Sequence, residues 1–140
     1  KMSWVGLSSV DKSSAWGASK DGIGFNHQIS SSSSERDIHI TYSDGQEYGS
    51  NQQNEFSTAL VNSQLHYYEL ARVSATSMKL TIYSDAAYTS EVESQTVTIP
   101  ASLSGLRYFV VTNDTTYNIG GDFTGHIDDL EFYDGVGSVN

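Results

Sequence analysis

Apolar and polar residues alternate with a period of two along most of the chain, the pattern of strands that bury one face. Met2–Ser8 sets Trp4 and Gly6 against Val5 and Leu7. Gly22–Ile29 spaces Ile23, Phe25 and Ile29, and Asp37–Ser43 spaces Ile38, Ile40 and Tyr42. Further strands are predicted over Leu65–Ser74, Ser77–Ser84, Glu93–Ile99, Leu106–Thr112 and Gly125–Tyr133. In Ser77–Ser84 the residues Leu80 and Ile82 are expected to face inward, with Lys79, Thr81 and Tyr83 on the other side. No segment carries a helical stripe, although Asn54–Asn62 has room for one turn. Turn chemistry separates the strands: Asp44-Gly45, Gly120-Gly121 and Asp134-Gly135 each offer a glycine for positive φ. The serine run Ser30–Ser34 is a solvated loop, and Glu47–Asn54 is the longest polar connection. These segments predict an all-β fold, a two-sheet antiparallel β-sandwich forming a single domain over residues 1–140.

The last predicted strand is the most distinctive. In Gly125-His126-Ile127-Asp128-Asp129-Leu130-Glu131-Phe132-Tyr133-Asp134-Gly135, two adjacent carboxylates interrupt the alternation. Either one points outward while the other is satisfied at a bulge, or the pair helps hold a cation. This ending resembles the closing strand of laminin-G-like and other concanavalin-A-like jelly-roll domains, and the Ile-Asp-Asp ending of several carbohydrate-binding modules. The likeness extends through Leu65–Ser74, Leu80–Asp85 and Leu106–Val111, covering about residues 65–135. Jelly rolls of this kind begin with strands that pair beside the closing one. The resemblance therefore implies that the usual first strands are missing here, as in a fragment, a compact variant, or a subunit completed by a partner's strand.

Composition narrows the partners. Seventeen acidic residues against 7 basic ones give a formal charge of -10. The Lys and Arg residues are scattered, which argues against nucleic acid, and the acidic field disfavours anionic membranes. No apolar run approaches the ~18 residues of a membrane helix. The chain has no cysteine and 1 proline, so any stability comes from packing and not from disulfides.

The chemistry-bearing residues form no catalytic pattern. A jelly-roll glycoside hydrolase carries a Glu-x-Asp-x-x-Glu strand, and this chain has none. Glu91-Val92-Glu93 places two carboxylates on one strand face without a third acid, as expected of a solvated edge. The histidines His27, His39, His66 and His126 lack zinc-ligand spacing, and no Gly-x-Ser-x-Gly elbow occurs. A noncatalytic protein is expected. The resemblance to carbohydrate-binding jelly rolls implies a structural calcium at Asp129; the alternative has Asp129 accepting bonds from backbone amides.

Aromatic residues in polar loops are the sequence's ligand signal. Sugar-binding surfaces stack pyranose C–H faces on Trp or Tyr while amides and carboxylates bond the hydroxyls. Trp16 lies in a small-residue loop, Tyr48 near Asn51 and Gln53, and Tyr117 beside Asn118. Trp4 is expected in the core, and Tyr83 and Tyr88 are expected to pack locally. Each loop ring could equally anchor its own loop. The expected function is an extracellular lectin-like module for neutral glycans, with Trp16, Tyr48, Asn51, Gln53, Tyr117 and Asn118 as its ligand residues. The alternative is a structural or adhesive domain of a virion, cell-surface fibre or filament, built by homo-oligomeric or filament assembly.

Overall fold

The computed structural model describes residues 2–11, 20–29, 36–46, 51–57 and 65–114. Within them the chain forms two antiparallel sheets facing one another, the predicted β-sandwich. The strands are β1 (Met2–Ser8), β2 (Lys20–Ile29), β3 (Arg36–Gln46), β4 (Asn51–Glu55), β5 (Tyr67–Ser74), β6 (Ser77–Tyr83), β7 (Glu91–Thr98) and β8 (Tyr108–Asp114). A 5-stranded sheet has the order β4-β3-β2-β1-β8, and a 3-stranded sheet has the order β5-β6-β7. Each sheet is mainly an up-and-down meander. The exception is β8, which returns to pair antiparallel with β1, Trp4 opposite Thr112.

The core lies where the two inner faces meet. Ile23 and Phe25 of β2 and Ile38 and Ile40 of β3 pack against Met78, Leu80 and Ile82 of β6, with Phe56, Val97, Ile99 and Leu103 closing the cluster. Leu80 and Ile82 are fully buried as read from Ser77–Ser84, but Thr81 on the opposite face is buried as well. Burying each such side chain contributes about 1.5–3 kcal/mol relative to exposure, so the sheets are held together chiefly by this layer. Two polar ties join their rims. Glu93 of β7 accepts from the Ser57 backbone N–H and hydroxyl, both at 3.0 Å. Asp21 of β2 accepts from the N–H of Ser104, in the connection that leaves β7, at 3.0 Å, and within its own sheet from that of Gly45 at 3.2 Å.

Three local expectations change. Asn51–Glu55 is a strand and not part of a polar connection; it pairs Tyr42 with Asn51 and Thr41 with Gln52. Its composition has low strand preference, so its pairing with β3 and not its propensity makes it a strand. Asp44-Gly45 does not end β3. The two residues lie opposite Asp21 alone, between the pairs Gly22–Ser43 and Lys20–Gln46, and form a bulge with Gly45 at φ 64. Third, Glu91 and Glu93 do not share a face. A register shift in β7 sets Glu91 opposite Tyr83 and Glu93 opposite Ile82, leaving Val92 as the extra residue. The strand predicted over Gly125–Tyr133 lies outside the described residues.

Candidate ligand-binding surface

The outer faces of the two sheets carry different aromatic arrangements. On the five-stranded sheet, Trp4 is 1% exposed. Its ring lies over the glycine pair Gly6–Gly24, which face each other across β1 and β2. A Cβ built on Gly24 would sit 2.7 Å from the indole, and one on Gly6 2.8 Å from it. Glycine is required here by close approach, not by dihedral angle. The indole crosses β2 and donates from Nε1 to Thr41 Oγ1 on β3 at 2.9 Å. Asn26, Thr41, Ser43 and Ser8 share this face and are buried too. Trp4 thus packs, as expected, but in a small cluster with Val110 separate from the main core.

On the three-stranded sheet the outer face carries a tyrosine cluster, half-buried at Tyr67 and Tyr83 and exposed at Tyr88. Tyr67 of β5 and Tyr83 of β6 are cross-strand partners, on the side opposite the buried Leu80 and Ile82. Tyr88, in the connection between β6 and β7, meets both edge-on. Its ring centroid lies 5.2 Å from that of Tyr83 and 6.1 Å from that of Tyr67, at interplanar angles of 75° and 74°. Tyr88 is 46% exposed, so the packing leaves much of its ring free.

The loop that carries Tyr88 is tied down by one carboxylate. Asp85 accepts from the N–H groups of Ala87 at 2.9 Å, Thr89 at 3.4 Å and Ser90 at 2.6 Å, and from the Thr89 hydroxyl at 3.2 Å. Desolvation raises the Asp85 pKa, but the bonds from Ser90 and Thr89 together outweigh it and hold the carboxyl below its usual range. Within this frame Tyr88 sits at φ 55, a region that a residue with a Cβ rarely adopts. Such strain persists where surrounding bonds over-determine the conformation. The loop therefore holds an aromatic ring in a fixed, costly and exposed pose.

Acids flank the rings. Glu69 accepts the Tyr83 hydroxyl at 2.9 Å, and Glu91 stands opposite Tyr83 on β7, where it accepts the Ser94 hydroxyl at 2.7 Å. The Tyr83 pKa is raised, first by desolvation and then by the hydrogen bond and charge of Glu69, with Glu91 adding. Both glutamates are exposed.

Trp16, Tyr48, Tyr117 and Asn118 lie outside the described residues, as does the calcium candidate Asp129. Asn51 and Gln53 fall on β4, an edge strand of the other sheet. The tyrosine surface escapes a reading of the sequence because local packing accounts for Tyr83 and Tyr88 without a ligand. The signal that could find it is Tyr67 and Tyr83 at matched positions of adjacent strands, with a third tyrosine in the following turn.

No protein-family model matches the chain, and neither a curated protein nor a solved structure matches it. The tyrosine surface and its chemistry are therefore the guide to function.

Proposed function

We propose that this protein is a noncatalytic carbohydrate-binding β-sandwich, an extracellular or cell-surface module in the manner of laminin-G-like lectin domains. The observation that carries the proposal is the Tyr67–Tyr83–Tyr88 cluster, in which a strained and tied loop holds the exposed Tyr88 over two half-buried tyrosines of the sheet face. Exposed tyrosine rings present an apolar face for a pyranose and a polar rim for its hydroxyls. Glu69 and Glu91 supply acceptors for those hydroxyls. Because Asp85 fixes the loop beforehand, little ordering cost falls on the bound state. Trp16, Tyr48, Asn51, Gln53, Tyr117 and Asn118 stay proposed as a second set of contacts, and Asp129 as a structural calcium ligand.

Affinity electrophoresis in gels containing soluble neutral polysaccharides tests this reading. The wild-type chain should be retarded, and Tyr88→Ala with Tyr67→Ala should abolish retardation while circular dichroism stays unchanged. If retardation survives that change and instead disappears with Trp16→Ala, Tyr48→Ala and Tyr117→Ala combined, the site moves to the loops. A chain retarded by no polysaccharide loses the function altogether.

A structural or adhesive role in a fibre, filament or virion draws on a different observation. β5 is an edge of the three-stranded sheet, with Val73 55% exposed on it and Leu65 66% exposed just before it. An edge strand is a template for another chain. Light scattering that shows growing assemblies with concentration, abolished by Val73→Lys, favours this second reading.

A further inference from the structure

The tyrosine cluster combines aromatic walls with carboxylates, and the two together favour a cation. Tyr88 meets Tyr67 and Tyr83 at nearly right angles, so the rings form a corner and not a flat platform. Ring faces attract an ammonium group through their quadrupole, most strongly where part of its hydration is removed. Glu69 and Glu91 approach the Tyr83 side of this corner from β5 and β7. Of the described residues on this outer face, Lys79 carries positive charge, and it lies four positions along β6 from Tyr83, roughly 13 Å at strand rise. Arg72, on β5, is committed elsewhere: its guanidinium donates to the carbonyls of Leu103 at 2.7 Å, Ala75 at 2.9 Å and Ser74 at 3.3 Å. The chain's formal charge of -10 adds a long-range field of the same sign.

We infer that the Tyr67–Tyr83–Tyr88 corner with Glu69 and Glu91 binds glycans bearing a protonated amino group in preference to their neutral or N-acetylated counterparts. The inference rests on the glycan-binding reading above and sharpens it, naming amino sugars as the ligand class. A pyranose would stack on a tyrosine face while its ammonium group lies between the rings and a carboxylate. The carboxylates then discriminate by charge, and the rings hold the sugar.

Isothermal titration with three oligosaccharides of equal length tests it: a glucosamine oligomer, an N-acetylglucosamine oligomer and a glucose oligomer. The glucosamine oligomer should bind about tenfold or more tightly than either of the others, one order in Kd being a modest charge preference. That advantage should vanish above the pKa of the sugar amine and shrink with added salt. Glu69→Gln with Glu91→Gln should remove most of the advantage. Asp11→Asn, a loss of negative charge beyond β1 on the other sheet, should leave all three affinities as they were. Equal binding of the three oligomers overturns the inference while the glycan reading stands. An amine preference that survives both Glu→Gln changes and loss of the tyrosines also overturns it, since the attraction would then come from the whole acidic surface. If none of the three binds, the glycan reading falls with it.

Discussion

The two outer sheet faces use aromatic residues in opposite ways. On the five-stranded sheet, Trp4 lies over a glycine floor and is 1% exposed. On the three-stranded sheet, Tyr88 stands above two tyrosines and is 46% exposed. The first face removes side chains so that a ring can settle onto backbone; the second stacks side chains so that a ring is lifted away. The polar groups differ as well. Asp85 and Glu69 beside the tyrosines are hydrogen-bonded. By contrast, the amide of Asn26 and the hydroxyl of Ser43 near Trp4 have no hydrogen-bond partner among the described residues. An aromatic ring on a sheet's outer face is thus a packing element where glycines lie under it, and a recognition element where a tied loop holds it clear.

The largest effect should come from Trp4→Ala, which removes a buried indole and its bond to Thr41. The expected loss is about 3–5 kcal/mol in stability, read by urea denaturation, and a loss under about 1 kcal/mol would mean the face is not a packing surface. Acid should come next, acting between the two faces. His27 sits on the inner side near Phe25 and Tyr68, its ring 5.5 Å and 5.6 Å from theirs. Burial lowers its pKa from the ordinary 6.5 to about 4, with repulsion from His66 adding. The folded chain keeps this imidazole neutral while the unfolded chain protonates it. Stability is therefore full above about 6.5 and is lost as pH falls through 6.5 towards 4. The loss reaches about 3 kcal/mol. His27→Leu should flatten that part of the pH–stability curve, and an unchanged slope would assign it to other groups.

Gly24→Ala should cost about 1–3 kcal/mol, since the new methyl meets the Val5 carbonyl and the Trp4 ring. A smaller cost in a Trp4→Phe background would show that the indole accounts for part of the clash. The smallest change in stability belongs to Tyr88→Gly. Relief of the positive φ offsets the lost ring contacts, leaving a net change within about 1 kcal/mol. Binding to the proposed glycan should nevertheless fall by more than about tenfold. A variant that binds as before would move recognition away from this face.

The architecture was legible because period-two alternation records which face each strand buries. Ile38 with Ile40, and Leu80 with Ile82, point inward as the pattern implied. The bulges were not legible. Asp44-Gly45 carries the same chemistry whether it ends a hairpin strand or sits in an irregular ladder, and only the partner Asp21 decides between them. β4 was invisible for a related reason: Asn51–Glu55 has no apolar alternation, and its strand state is imposed by β3. The candidate surface was half legible. Three tyrosines can be counted in sequence, but the right-angled corner depends on the Asp85 bonds and on the dihedral angle of Tyr88.

The return of β8 to β1 has a consequence for synthesis. Trp4 leaves the ribosome well before its neighbour Thr112 on one side, which emerges only after β2 to β7 have been made. Until then the nascent chain carries a hydrogen-bonding edge along Met2–Ser8 that awaits a distant segment. Sandwiches dominated by such remote pairings fold slowly, on the order of milliseconds to seconds. During that interval a second nascent copy could supply the missing strand, so low translation temperature or dilute expression should raise the yield of soluble material.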